Sequence, residues 1–312
     1  MTALHYCVFS YNRGRFLRHC VDSLRRLGGG GAIQIFDDNS NDSDTRAALD
    51  ELAAHCTIIQ PQQADAGRYK CGGLYGNMQR ALETLPPGAL GCCVQDDMQL
   101  VRAVEVADLR DIERYFRLRP DAAFLQPTFM RGSRRELDAR ITRFEAEAGV
   151  YLRNGAGTSV GEHFSAVSIF AADRLRAVHW EFEPTERRNE AQARRHFGAM
   201  GFLRDPFLFY LPNVPAYRGK TKTLALRDAE RRQRSGFYPY PPMDAAQVER
   251  LRARDSAQLP VAEDWLSTVP PDFPPRPWRF YPMEGLRWHK RLNSLELKVR
   301  GLWRWLRGLW SR

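Results

Sequence analysis

Apolar and polar positions alternate between two rhythms over the first hundred residues. Leu4–Ser10 is a short apolar run, partly β-branched or aromatic, and reads as a strand. Ser10-Tyr11-Asn12-Arg13-Gly14 breaks it, and Phe16, Leu17, Cys20, Leu24 and Leu27 then recur at helical spacing. Gly28–Gly31 ends that helix. It follows a helix and precedes a strand, the reverse of a phosphate-cradling glycine loop, so it reads as a flexible return. The pattern continues with a strand at Ala32–Phe36, a helix at Asp44–His55 and a strand at Thr57–Gln60. An irregular stretch, Pro61–Gly73, follows and carries Arg68 and Lys70. A helix at Leu74–Leu85 leads, after Pro86-Pro87-Gly88, into the apolar strand that starts at Leu90 and ends at Asp96-Asp97. Four strands alternating with three helices predict βαβ units and a parallel sheet.

Beyond Leu100 the rhythm loosens. A helix is expected at Val104–Leu118, a strand at Ala122–Gln126, and a charged helical or loop-like segment at Arg131–Arg153. Gly155–Gly161 reads as a turn, His163–Phe170 as a strand, Ala172–Val178 and Glu190–Met200 as helices, and Phe207–Leu211 as an aromatic strand. Pro215–Thr223 is basic. Ser235–Gly285 holds ten of the nineteen prolines. Proline removes the backbone donor that a ladder needs, so this stretch is expected to wrap the surface as a linker. The organisation anticipated is two halves of one domain (1–130 and 131–225), the Pro-rich linker (226–285) and a terminal helix (286–312).

In that terminal helix Leu292, Leu295, Val299, Leu302, Trp303, Leu306, Leu309 and Trp310 fall in one arc on a 100° wheel, the width of a core-facing stripe. Charge sharpens the picture. The chain carries a formal +10, but Arg287–Arg312 alone holds eight Lys/Arg against one acid, Glu296, together with four of the seven tryptophans. A basic, Trp-bearing amphipathic helix suits the plane of an anionic membrane; a helix docked on the body is the alternative. The main body is close to neutral, which argues against a nucleic-acid module. No run reaches the roughly 18 apolar residues of a membrane span, and no basic leader is present. The six cysteines form no Cys-x-x-Cys pair, and four lie in or beside apolar runs, as reduced core thiols do. A cytoplasmic protein attached peripherally to the inner face of the plasma membrane is the expectation.

Two strands stop on acid pairs, Asp37-Asp38 and Asp96-Asp97. In a parallel sheet both pairs meet beyond the strands' carboxyl ends, where α/β proteins place ligands. Neighbouring carboxylates there suit a hard divalent cation. An Asp-Asp pair capping a helix N-terminus is the alternative.

Taken in order, these motifs resemble a family-2-type glycosyltransferase with the GT-A fold. The matching residues are Phe9-Ser10-Tyr11-Asn12-Arg13, Phe16-Leu17, Cys20–Leu24, Ile35–Ser40 with Asp42, Gly76-Asn77 with Arg80-Ala81, and Gln95-Asp96-Asp97-Met98. The resemblance covers Leu4–Leu100 and fades by Tyr217. It implies a three-layer α/β sandwich with a mostly parallel central sheet. It also implies a nucleotide-sugar donor, expected to be UDP-linked, held by Ser10, Tyr11 (stacking on the base), Arg13, Asp38 (bonding the base) and Asp96 (at the ribose). Asp97 matches the acid that binds Mn²⁺ or Mg²⁺ on the diphosphate, and Arg68 the loop that touches the donor phosphates. The acceptor base is sought about a dozen residues before Gly201-Phe202, at Glu190, with Glu186 in reserve; a capping role for Glu190 on an Arg-rich helix is the alternative. No histidine matches the late histidine of many relatives, since Tyr217 and Arg218 stand there. The expected activity is metal-dependent, inverting transfer of a sugar to a hydroxyl of a glycan or lipid-linked acceptor. A membrane-docked nucleotide-sugar binder without turnover is one alternative. A sugar-nucleotide pyrophosphorylase is another, but it would need a Gly-rich basic loop, and Ser10–Arg15 has one glycine.

Overall fold

The computed structural model describes residues 3–61, 73–154 and 161–310. The predicted alternation is realised as β1 (Leu4–Ser10), α1 (Gly14–Leu27), β2 (Ala32–Asp37), α2 (Ser43–Leu52), β3 (Thr57–Ile59), α3 (Leu74–Thr84) and β4 (Leu90–Gln95). Next come β5 (Met98–Leu100), α4 (Val106–Leu118), β6 (Phe124–Gln126), α5 (Arg135–Ile141), β7 (Thr142–Glu145), β8 (Val150–Arg153), β9 (Ile169–Ala171) and α6 (Ala172–Ala177). The last elements are α7 (Glu186–His196), β10 (Gly201–Leu203), β11 (Leu208–Tyr210), α8 (Leu224–Arg232), α9 (Ala245–Ala253), α10 (Ala262–Trp265) and α11 (Arg287–Trp310).

Nine strands form one sheet in the order β3-β2-β1-β4-β9-β6-β10-β8-β7, and β5 and β11 form a separate ribbon. All but β8 and β9 run in one direction, so the sheet is mostly parallel. The two-residue period of the strands sorts their side chains between two helical layers. Tyr6, Val8, Cys92 and Val94 face α1, α2 and α4, burying Leu17, Val21, Leu24, Leu49 and Ile112. Cys7, Phe9 and Cys93 face the opposite way, onto Met78, Ala81, Leu82, Leu175 and Ala193 of α3, α6 and α7. The result is a three-layer α/β sandwich.

Departures from the sequence reading have local causes. Arg131–Arg153 contains the β7–β8 hairpin, with Gly149 at φ +70° in its turn. Arg143, Glu145 and Arg153 hid an alternation in which Phe144 meets Tyr151 at 5.3 Å. His163–Phe170 shrinks to β9 because serines close a turn before it: Val167 N–H donates to Ser165 Oγ (3.2 Å) and Ser168 Oγ–H to the Ser165 carbonyl (2.9 Å). The helix expected from Glu190 starts at Glu186, where the Thr185 side chain accepts from Arg188 N–H.

The Pro-rich stretch makes no ladder with the sheet, yet it is no mere surface strap. Tyr240, Met243, Leu251, Leu266, Trp278 and Phe280 build a third buried cluster with Phe16, Phe129 and Phe209. The Gln99 amide clamps its backbone, donating to the Tyr240 carbonyl (2.7 Å) and accepting from Tyr240 N–H (3.0 Å). Extended proline-rich chain exposes its side chains on all sides, so it can seal a core without forming strands.

Candidate functional site

The in-register parallel pairing of β1 with β2 and β4 sets Ser10 beside Asp37 and Phe9 beside Gln95. The residues that follow these strands therefore share one edge of the sheet. There a cavity of about 520 Å³ is lined by Ser10, Tyr11, Arg13, Asp38, Asn77, Asp96 and Tyr217, among others. Five residues singled out for the donor, Ser10, Tyr11, Arg13, Asp38 and Asp96, thus come together. Arg68 lies outside the described residues.

The walls differ in chemistry. Tyr11 meets Tyr217 edge to face, with ring centroids 5.3 Å apart. Opposite charges crowd the other wall. Arg13 Nη1 donates to Asp97 Oδ2 (2.5 Å) and Asp96 Oδ1 (3.3 Å), while Tyr11 N–H donates to Asp96 Oδ2 (3.1 Å). Burial pushes the Asp96 carboxyl well above the usual carboxylate range, and Asp97 adds to the push; Arg13 and the Tyr11 amide oppose it. The paired acids in turn hold the Arg13 guanidinium protonated against its own burial. Asp97 Oδ1 and Ser10 Oγ are buried with no hydrogen-bond partner among the described residues. Asp38 accepts from Gly73 N–H (3.0 Å), and burial raises its pKa too. Gly73 stands at φ +67°, where a Cβ would come within 2.8 Å of Asp38 Oδ2.

The four strand-end acids do not all face the cavity. Asp37 is fully buried and turned inward, accepting from Ser40 N–H (2.8 Å), Ser40 Oγ–H (2.6 Å) and Gln60 Nε2 (3.1 Å). It closes the turn after β2, and Asp97 stands behind Arg13. Sequence reasoning gave no role to Asn12, which knots the site's loops. In the left-handed region at φ +51°, it donates to Asn41 Oδ1 (2.9 Å) and the Arg218 carbonyl (3.0 Å), and accepts from Asn41 N–H (2.9 Å). An asparagine just past a strand is the signal that pointed there, because Asn tolerates that conformation.

Glu190 is engaged on several sides. Its buried carboxylate accepts from the backbone amides of Gly161 (3.3 Å), His163 (3.1 Å) and Phe164 (2.9 Å), and His163 Nδ1 lies 3.2 Å away. A carboxylate so occupied anchors the 161–164 turn. Glu162, His163 and Glu190 bring their ligand atoms within 4.8 Å of one another, and Arg194 Nη2 sits 2.9 Å from Glu162, supplying the positive charge between them. Glu186, one turn earlier on α7, instead lines a second cavity of about 170 Å³ with Arg131, Arg134 and Tyr210. Glu186 is solvent-exposed as a residue, yet the surrounding protein desolvates its carboxyl and raises its pKa, against the pull of Arg131. The two cavities are electrostatic neighbours: Tyr210, pushed up to about 12 mainly by burial, feels both Glu186 and Asp97.

No protein-family model and no curated protein matches the sequence. Among solved structures the chain is similar to several, three of which follow. One is TarS 1–349 from S. aureus, at 12% identity and TM-score 0.44, over 67% of this chain and 60% of that one. Another is the mannosyltransferase PcManGT from Pyrobaculum calidifontis in complex with GDP-Man and Mn²⁺, at 12% and 0.42, over 74% and 61%. A third is glucosyl-3-phosphoglycerate synthase from Mycobacterium tuberculosis in complex with Mn²⁺, UDP and glucosyl-3-phosphoglycerate, at 14% and 0.42, over 77% and 84%. This chain therefore spans less than two thirds of the first two. At these values the likeness carries no argument, and the chemistry has to come from the residues themselves.

Proposed function

We propose that this chain is a glycosyltransferase. It binds a nucleoside diphosphate sugar at the ends of β1, β2 and β4 and passes the sugar to an acceptor hydroxyl presented beside Glu186. One observation carries the reading. Strand register gathers an aromatic pair, Asp38 and the Arg13-paired Asp96 around a single cavity of nucleotide size, with Asp97 behind Arg13. In this reading the base lies against Tyr11 and Tyr217, Asp38 accepts from the base, and Asp96 accepts from the ribose. Arg13 fixes Asp96 and Asp97 and lends positive charge near the diphosphate.

The acids also fit a divalent ion. They offer only oxygen donors, Arg13 neutralises one of the two charges, and Asp97 Oδ1 has no other partner among the described residues. Asp97, with Asp96, would hold Mn²⁺ or Mg²⁺, which when bound supplies charge to stabilise the departing diphosphate. Glu186 takes the acceptor proton. A single in-line attack by the acceptor oxygen on the sugar carbon, as the bond to the diphosphate breaks, would invert that carbon.

The membrane belongs to the same proposal. Among the described residues no helix is long and apolar enough to cross a bilayer. Helix α11 is tied to α8 by polar contacts, Thr223 to Asn293 (2.7 Å) and His289 to Asp228 (2.8 Å). Its stripe residues Leu292, Leu295, Val299, Leu302 and Leu306 remain 39–60% exposed. An apolar face left bare on a basic helix suits attachment to the inner face of the plasma membrane, with a lipid-linked or cell-envelope glycan as acceptor.

A thermal-shift panel of UDP-, GDP- and dTDP-sugars, with and without Mn²⁺, tests the donor site. The matching nucleotide should stabilise the protein by about 2.7 kcal/mol at a hundredfold excess over Kd. UDP is the expected nucleotide. Wild-type turnover from Asp97→Ala would refute the metal-dependent mechanism.

A further inference from the structure

We infer that the smaller cavity binds a phosphate group carried by the acceptor, close to the hydroxyl that reacts. This rests on the transferase reading for the acceptor's identity, but the anion site stands on its own observations. At about 170 Å³ the cavity is below the roughly 300–1,000 Å³ of pockets that enclose a whole small molecule, so it suits one part of a ligand. Three guanidiniums, Arg131, Arg134 and Arg153, line it against two carboxylates, Asp138 and Glu186.

The arginines are incompletely matched. Arg153, at the end of β8, keeps only 10% of its side chain exposed. One arm pairs with Asp138 (2.9 Å), yet its Nε is buried with no hydrogen-bond partner among the described residues. Arg131 is half-buried, its guanidinium 4.9 Å over the Tyr210 ring and 4.5 Å over the Phe280 ring. Among the described residues no carboxylate lies within ion-pair distance of Arg131 or of Arg134, which stands exposed at the mouth. Burial, abetted by Arg134 and Arg131, pulls the Arg153 pKa down, as expected of a cation with too little negative charge nearby. Guanidiniums held by aromatic faces are preorganised forks, which match phosphate oxygens better than a mobile ammonium does. Glu186 on the same wall gives the site its purpose. A phosphate held by Arg131 and Arg134 would set a neighbouring acceptor hydroxyl beside that carboxylate. The acceptor oxygen then bonds to the sugar carbon, the bond from that carbon to the diphosphate breaks, and the hydroxyl proton passes to Glu186.

The full chain is titrated by calorimetry with inorganic phosphate, glycerol 3-phosphate and glycerol, with and without UDP. Expected is saturable binding of both phosphates but not of glycerol, undiminished in Asp97→Ala. In the double variant Arg131→Gln/Arg134→Gln, binding should weaken roughly tenfold or more while the UDP thermal shift stays the same. Equal affinity in that variant, no saturable binding, or displacement of phosphate by UDP would overturn the inference. Phosphate binding in a protein that fails to bind any nucleotide would support this site and sink the donor reading. Vesicles distinguish the phosphate's source. A wild-type preference for phosphatidate over phosphatidylglycerol that the double variant loses assigns the phosphate to a lipid. Tight glycerol 3-phosphate binding without that preference assigns it to a soluble or polymeric ester.

Discussion

Glu186 and Glu190 lie one helical turn apart on the same face of α7, and their surroundings give them different work. Glu190 is saturated by backbone amides, so Glu190→Gln removes acceptors for buried N–H groups and should cost about 1–3 kcal/mol, read as a lowered midpoint in urea. Glu186→Gln should instead abolish most transfer, about 10²–10⁴-fold, while donor binding survives. Because the Glu186 carboxyl is raised, it becomes a base only as pH climbs through a value above the ordinary carboxylate range. The acid limb of kcat/KM should show that midpoint, and the Gln variant should lose the limb. A raised carboxyl stabilises the fold when protonated, and that contribution fades as pH rises through the folded pKa. Near neutrality, then, Glu186→Gln should not lower the melting temperature. Sequence spacing pointed to this turn of α7 but could not choose between the two, since the choice depends on which residue faces the distant 161–164 amides.

At the scale of elements, Arg102 ties α4 to the ribbon beneath the site. Its fully buried guanidinium pairs with Asp108 (2.8 Å on each arm) and donates to the Pro206 carbonyl (3.0 Å). Arg102→Met leaves Asp108 buried without its main cation and should destabilise by about 3–5 kcal/mol in urea titration. Although burial alone would raise it, the Asp108 pKa is lowered by Arg102. Its contribution is therefore present above the unfolded pKa and lost as pH falls through the lower folded value. The wild-type protein should lose stability in acid at that point, and Arg102→Met should lose little further. The β1–α1–β2 and β4 elements were legible because their apolar periods are clean and their acids mark strand ends. The β7–β8 hairpin was not, because short strands at a charged sheet edge carry almost no period, and tertiary pairing alone stabilises them.

On the scale of the molecule, the membrane part of the proposal rests on α11. If half of the eight cations in Arg287–Arg312 contribute about 1 kcal/mol each, anionic vesicles should be favoured over zwitterionic ones by about a thousandfold. Sedimentation with phosphatidylglycerol and phosphatidylcholine vesicles measures that ratio, and it should collapse in high salt. Trp303→Ser/Trp305→Ser should weaken binding to both lipids, because it removes apolar burial rather than charge. Equal partitioning into the two lipids would remove the membrane from the proposal.

The sequence alone determined the alternating elements of the first hundred residues, the acids at their ends and the amphipathic stripe of the tail. Each is written in local period and local composition, which need no partner to be read. Only the tertiary structure decided that Asp37 turns inward, that Asn12 knots the loops and that prolines seal a core. The gathering of Glu186 and three arginines around one small cavity is of the same kind. Those outcomes depend on which distant backbone groups arrive beside a side chain, and no local pattern encodes that.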